Sequence, residues 1–508
     1  MEYLLGIDLG TSGTKAVLFD VRGSAVASAT VEYPLHQPQN GWAEQDPLDW
    51  WEAAKATIRQ VLQKSGAAPE AIKGIGISGQ MHGLVLLDDK GDVLRPAILW
   101  NDGRTSVECA EITQSIGYLR LIAVTANPAL TGFTAGKILW VRKNEPGIYE
   151  KIRHILLPKD YVRYKLTGEY FSEMSDASGT NLLDVPRRQW SDEILGLLKI
   201  DKGLLPPLLE SSDRAGVITP QAAKDTGLKA GTVVAAGAGD NAAAAVGTGV
   251  VTQGKAFITI GTSGVIFAHS DTVQIDPQGR VHTFCAAVPG AYTVMSCSLA
   301  AGLSLKWFRD TFCRAECETG ELMGVDPYKL LDEEAGKVPI GANRLLFLPY
   351  LMGERSPLLD SNARGAFIGL SAMHTRRDLL RAVMEGVIYS QKQNLDVLSG
   401  MRVLPEALFA TGGGAKSPLW RAMIADVLQM PVKTVANAEG PALGAAILAG
   451  VACGVYRDIP GACDEIIREK EPLRPNKANG DAYSRVYRIY ESLYPRLKEA
   501  YRELIGVE

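Results

Sequence analysis

Ile7-Asp8-Leu9-Gly10-Thr11-Ser12-Gly13-Thr14-Lys15 sets one carboxylate, a glycine-bounded hydroxyl turn and one lysine between two β-favouring runs, residues 3 to 9 and 16 to 19. Its centre, Gly10-Thr11-Ser12-Gly13, returns letter for letter as Gly261-Thr262-Ser263-Gly264, at an offset close to half of the 508 residues. The second copy is again flanked by β-favouring runs, 256 to 260 and 265 to 268. A duplicated domain leaves such an echo, and both copies read as hairpins. Hydroxyls and free N–H groups on a glycine turn suit phosphate oxygens, so two such turns facing each other would clasp a polyphosphate. The copies differ in their charges: Asp8, a candidate metal ligand, and Lys15, a candidate phosphate cation, correspond to Thr259 and Ile266.

A chain of this length exceeds one ordinary core, and two domains, 1 to 245 and 246 to 508, are expected. A net charge of -4 from 53 basic and 57 acidic residues provides no basic field, which excludes a dedicated nucleic-acid binder. Seven cysteines without a C-x-x-C pair suit neither a disulfide framework nor a zinc site. The longest small-apolar run, 235 to 251, is broken by Asp240 and Asn241, and the start goes straight into a strand, so no membrane span or signal segment is expected and the location is cytoplasmic.

Past the first hairpin, a third strand (25 to 33), a helix that Asp46 caps with Pro47 first, and a buried strand (72 to 78) follow. This order resembles the opening of ribonuclease-H-like domains of the actin and hexokinase type, an α/β fold. Gly74-Ile75-Gly76-Ile77-Ser78-Gly79 formally matches a dinucleotide fingerprint, but its glycines lie inside the strand and no capped helix follows. Gln80-Met81-His82-Gly83 stands just past that strand, where open α/β sheets place ligand contacts. Trp100-Asn101-Asp102-Gly103-Arg104 suits a sugar, with an indole face for C–H surface and amide and carboxylate for hydroxyls, and equally suits a capped turn before a helix near Thr105. Segment 132 to 141 opens an amphipathic helix and 156 to 161 precedes another, both read mainly as scaffold, and 175 to 180 is a polar turn able to face a cleft.

A strand at 232 to 236, a turn at 237 to 239 and a helix from Asp240 set that carboxylate in a strand-end crevice at a helix N-terminus. The helix dipole favours the ionised form, which accepts a proton from a hydroxyl attacking phosphorus. In the second half a strand is expected at 292 to 295, a helix from Ser298, a strand at 345 to 350, a charged loop at 353 to 357 and a long helix at 377 to 398. Gly412-Gly413-Gly414 then joins a strand to a helix and clears side-chain bulk where a nucleotide would lie on backbone; no G-K-[ST] follows, so it is not a P-loop. A small-residue helix from Glu439 is fit for close packing. The chain ends in an amphipathic segment, 481 to 505, expected to kink at Pro495 and to dock, the last helix on the first domain.

Residues 132 to 144, with Lys137 and Trp140, and 365 to 370 with Asp378, Leu379 and Ala382-Val383-Met384-Glu385, resemble the two signatures of the FGGY carbohydrate kinases. The resemblance covers nearly the whole chain. Met81-His82, Trp100 to Arg104 and Gly239-Asp240-Asn241 are most similar to the branch acting on D-xylulose, whereas glycerol-phosphorylating members have Arg-Glu at Met81-His82. It implies two domains closing over an interdomain cleft, ATP held mostly by the second and the sugar by the first. Asp240 would take the proton of the C5 hydroxyl of D-xylulose and Asp8 would help hold Mg2+. Met81, His82, Asp240 and Asn241 would contact the sugar, with Trp100, Asn101 and Asp102 beside them. Thr11, Ser12, Lys15, Gly261, Thr262, Gly302, Lys306, Gly413, Gly414 and Ser417 would contact nucleotide, although many members have Asn in place of Ser417. Sugar and ATP are the partners, neither nucleic acid nor membrane, and a homodimer is the assembly left open. The alternatives are another substrate, ribulose or gluconate, and an actin-like ATP switch without sugar chemistry.

Overall fold

The runs on either side of the first turn pair antiparallel, Tyr3–Leu9 with Gly13–Asp20, and Tyr3–Leu9 also pairs parallel with Ile72–Gly79. These strands form the middle of the first sheet in a computed structural model that describes residues 1–436 and 439–507. The spatial order is Arg214–Val217, Val233–Ala235, Ile72–Gly79, Tyr3–Leu9, Gly13–Asp20, Ala25–Glu32, with the short strand Ala238–Gly239 also on Ile72–Gly79. Helix Pro47–Ser65 covers one face; Asp46 caps it, accepting from the Leu48 N–H at 2.9 Å, and it buries Trp50, Trp51, Ala54, Ile58 and Val61.

The second sheet repeats the plan: His282–Cys285, Tyr292–Ser298, Gly264–Ser270, Lys255–Ile260, Ala407–Thr411, Val432–Lys433. Each sheet thus has an antiparallel meander whose first strand pairs parallel with one from much later in its half. Helix Arg376–Gly400 precedes the parallel strand and buries Leu380, Val383, Met384, Val387 and Ile388.

Three expectations are corrected and one strand is added. The helix anticipated from Ser298 begins at Gly302, because Ser298 is still a ladder residue opposite Gly264. Strand His282–Cys285 has no counterpart in the sequence reading. The C-terminal segment is two helices, Lys477–Glu491 and Leu493–Ile505, divided at Ser492 rather than kinked at Pro495. Pro495 falls in the first turn, where helix N–H groups have no partner anyway. These helices dock on the second half: Tyr483, Tyr487, Tyr490, Leu493, Tyr494 and Tyr501 share a core with Phe347, Met384 and Tyr389.

The element that returns to the first sheet is Gly440–Ala452. It lies on Tyr3–Leu9 and Ile72–Gly79 with backbone against backbone: a Cβ at Gly6 or Gly76 would come within 1.9 Å of the carbonyl oxygens of Ala442 and Ala445. The in-strand glycines that imitate a dinucleotide fingerprint are therefore a bed for this helix. Among the described residues no helix is long and apolar enough to cross a membrane.

Candidate active site

Three parallel strands, Tyr3–Leu9, Ile72–Gly79 and Ala238–Gly239, end on the same side of the first sheet, and each delivers functional groups there. Such carboxyl ends are where open α/β sheets bind ligands. Asp8 sits in register between Lys15 and Ser78, and the Ser78 hydroxyl donates to it at 2.6 Å. Burial raises the Asp8 carboxyl above its ordinary range; Ser78 and Lys15 oppose this, and Glu439, reaching over from the second half, adds to it. Lys15 itself is ion-paired with Glu439.

Asp240 follows the short strand directly and opens helix Asp240–Gly247. Its Oδ1 accepts from the Asn241 N–H at 2.7 Å and from Asn241 Nδ2 at 3.0 Å. Its pKa is pushed up to about 7, by burial first and by the Asp8 charge second. Burial thus outweighs the pull of the helix dipole toward the ionised form. A dipole contributes about 0.3–1 kcal/mol, whereas raising a carboxyl from 3.8 to about 7 corresponds to about 4 kcal/mol.

Just past strand Ile72–Gly79 the chain turns sharply: His82 has φ +68°. His82 Nδ1 lies 2.7 Å from the Gly179 carbonyl, so it carries the proton and Nε2 is left as an acceptor. Burial foremost, helped by the nearby Lys137 charge, lowers the imidazole to about 3 and keeps it neutral. The ring rests on Phe133 at 4.6 Å, with Phe284 of the second half 6.2 Å away. Lys137 Nζ fixes the turn by donating to the carbonyls of His82 at 2.8 Å and Gly132 at 2.7 Å. Met81 packs on Gly239, where a Cβ would lie 2.8 Å from its Cγ.

Trp100 leaves 42% of its surface exposed while its Nε1 donates to the Thr11 hydroxyl at 3.0 Å. That hydroxyl donates to Gln80, and Gln45 bridges the Gln80 amide to the Thr11 carbonyl. The turn at residues 10–13 is thereby tied to the turn at residues 80–83, and Ser12 is exposed at the tip of the first. Asn101 is exposed beside Trp100. Asp102 departs from its expected role: it is buried and accepts from Ala43 N at 2.6 Å, Arg104 Nε at 2.9 Å and Arg104 Nη2 at 2.7 Å. The Arg104 guanidinium stacks 3.7 Å over Trp42 and pairs with Glu44. Asp102 with Arg104 is thus a folding device, while Trp100 and Asn101 stay exposed.

On the opposite side, the Gly261 and Thr262 carbonyls accept N–H groups of Ala301, Gly302 and Leu303, seating helix Gly302–Phe312 on the second hairpin. Gly302 is required there, since a Cβ would lie 2.3 Å from the Gly261 oxygen. Lys306, one turn along, is exposed. In the triple glycine, Gly412 has φ +78° and Gly414 packs on Ile260, while Gly413 faces open space. Ser417 caps helix Pro418–Leu428, accepting from Trp420 N at 3.0 Å.

Residues 3–247 match the model of the FGGY family of carbohydrate kinases, N-terminal domain, and residues 256–453 that of its C-terminal domain. The chain belongs to the FGGY family of carbohydrate kinases. It is 40% identical over 499 residues to a xylulose kinase of Bacillus subtilis (strain 168), covering 98% of each chain. The solved xylulose kinase from Rhodospirillum rubrum superposes with TM-score 0.91 at 32% identity, covering 99% of this chain and 100% of that one. The solved gluconate kinase from Lactobacillus acidophilus superposes with TM-score 0.92 at 28% identity, covering 99% of both. The FGGY kinase therefore has the two-domain actin and hexokinase-like fold and is an enzyme, which sets aside the switch without chemistry.

Several members of its site were not singled out from sequence: Phe133, Phe284, Gly179 and Glu439. The last heads a helix whose small residues signal packing and hide the charge before them. Among the described residues no cluster of three or more His, Cys, Asp or Glu could hold a metal alone. Asp8 and Asp240 instead form a pair of carboxyls close enough for the Asp8 charge to raise the proton affinity of Asp240. Such a pair fits Mg2+, which is held by one or two carboxylates together with substrate phosphates and water.

Proposed function

We propose that this kinase transfers the γ-phosphoryl group of ATP to the C5 hydroxyl of D-xylulose, in the cytoplasm. The observation that carries this is that Met81, which precedes His82, packs on Gly239, which precedes Asp240, so that one turn presents a carboxyl able to take a proton near neutral pH and the next a neutral imidazole whose free nitrogen can only accept from a hydroxyl. Kinship with xylulose kinases supports the same substrate. Met81, His82, Trp100, Asn101 and Asn241 orient the ketose; Asn241, whose amide N–H groups are directed to Asp240, offers its carbonyl oxygen. Asp240 takes the hydroxyl proton as the oxygen attacks phosphorus. The two hairpin turns, Lys15, Gly302, Lys306, Gly413, Gly414 and Ser417 hold the nucleotide, with Thr11 contributing backbone because its hydroxyl is committed to Trp100 and Gln80. Asp8, and Asp240 before it takes the proton, would hold Mg2+, which when bound neutralises charge on the phosphates.

A gluconate-like acid is the second reading, and Arg355 favours it. Its guanidinium is part-buried, makes no hydrogen bond or ion pair among the described residues, and its charge reaches both His82 and His282. The other cations near the sugar side, Lys137 and Arg104, are committed to carbonyls and carboxylates. A coupled ADP-release screen over D-xylulose, L-xylulose, D-ribulose, L-ribulose, gluconate and glycerol decides. D-xylulose is expected to give the highest kcat/KM; gluconate in first place would replace the pentulose assignment.

A further inference from the structure

The turn that holds His82 belongs to a buried ionic cluster that the reaction outlined above does not use. Lys159, Asp160, Arg163, Glu173 and Asp176 are all fully buried, with Lys159 Nζ 2.7 Å from Asp160, 3.2 Å from Glu173 and 3.3 Å from Asp176. Burying five ionisable groups is a poor way to stabilise a fold, since desolvation consumes most of the attraction. What the cluster touches is informative. Arg163 Nη1 donates to the Ala236 carbonyl at 2.6 Å, and Ser211, whose hydroxyl donates to Glu173 at 2.8 Å, takes the Gly237 N–H on its own carbonyl at 3.0 Å. Ser175 donates its proton to Glu173 Oε1 at 2.9 Å and accepts the Gly239 N–H at 3.1 Å. Because Glu173 is an acceptor, the direction of both Ser175 bonds is fixed: its lone pair faces the residue that immediately precedes Asp240. Four residues further along the same turn, the Gly179 carbonyl holds His82 Nδ1. A Cβ at Gly179 would lie 2.4 Å from that ring, so the turn and the imidazole sit in direct contact.

We propose that Ser175, backed by Glu173, is a positioning residue for the phosphoryl transfer: it anchors the Gly239 backbone from which Asp240 projects, in the turn that also orients His82. The inference rests on Asp240 being the base. Without the hydroxyl the Gly239 N–H is buried with no acceptor, the segment relaxes, and the carboxylate leaves the line of attack, where displacements near 1 Å are costly.

The test compares Ser175→Ala, Asp240→Asn and the double variant with the wild type, using D-xylulose and ATP. Ser175→Ala is expected to lower kcat about tenfold, with the KM for ATP within about twofold. In the Asp240→Asn background it is expected to cause no further loss, because a group acting through Asp240 has nothing left to position. A Ser175→Ala enzyme with wild-type turnover, or a further loss of the same size on Asp240→Asn, would overturn the proposal while leaving Asp240 as base. Asp240→Asn keeping its turnover would overturn both, and a wild type inert on D-xylulose but active on gluconate would shift only the substrate. Should the alanine variant not fold, Ser175→Cys takes its place, since it keeps the size with a much weaker acceptor.

Discussion

As the proposed base Asp240 has to be ionised, and burial pushes its carboxyl up to about 7, so kcat/KM should climb with pH along an acid limb centred near 7 and level off above it. Asp240→Asn keeps the shape, cannot take the proton, and should lose about 100- to 10,000-fold in turnover. The same substitution has a thermodynamic consequence of opposite sign. A carboxyl whose folded-state pKa is raised favours the folded protein most below its unfolded value of 3.8, and that contribution is lost as pH rises through about 7. Ionising Asp240 at pH 8 therefore weakens the fold, and the Asn variant should melt above the wild type there. Its advantage should shrink as pH falls from 7 towards 4. Thermal melts of both proteins across that window check it; a wild type that melts higher at pH 8 would show that burial does not govern this carboxyl.

At the scale of elements, the contact that joins the halves is a bed of glycines under Gly440–Ala452. Gly76→Ala puts a methyl group where the Ala445 carbonyl oxygen now lies, at 1.9 Å, and neither backbone can yield independently. A loss of stability of about 1–3 kcal/mol or more is expected, measured as a lowered denaturation midpoint. Gly413→Ala is the contrast, since a Cβ there meets nothing within 4 Å. It should leave stability nearly unchanged and raise the KM for ATP, because the space is kept for nucleotide; equal melting shifts in both variants would remove the distinction. These elements also show what was legible in sequence. The twin hairpins, the Asp46 cap, the long helix and Asp240 at a helix start are local signals, carried by residues a few positions apart. The strand at 282–285 and the true start at Gly302 depend on pairing with Tyr292–Ser298 and Gly264–Ser270, which no local pattern encodes. Asp102 looked like a sugar ligand because its commitment to Ala43 and Arg104 is tertiary, and the glycines at 74 and 76, rightly refused as a dinucleotide loop, showed no purpose because their partner helix lies far along the chain.

For the whole molecule, the site is assembled from both halves: Asp8 and Lys15 meet Glu439, and His82 meets Phe284. Helices Asp240–Gly247 and Gly440–Ala452 start at this seam and cross at close range, a Cβ at Gly247 falling 1.9 Å from the Gly440 oxygen. Both helices pack on the first sheet, and the two hairpin turns belong one to each sheet. If those turns grip one polyphosphate from opposite sides, ATP and sugar together should draw the halves in, as hinge closure does in other two-domain enzymes. Lys15 would then exchange Glu439 for phosphate, so closure should require nucleotide and not sugar alone. ATP hydrolysis without sugar should be slow, because Asp240 lacks a positioned hydroxyl and the γ-phosphate is unaligned. Small-angle scattering on the free protein, on each binary complex and on the complex with D-xylulose and a non-hydrolysable ATP analogue measures this as a radius of gyration that falls in the ternary state. An unchanged radius with both ligands bound by calorimetry would leave Asp240 as the base and reduce the repeated Gly-Thr-Ser-Gly turn to a trace of duplication without a mechanical role.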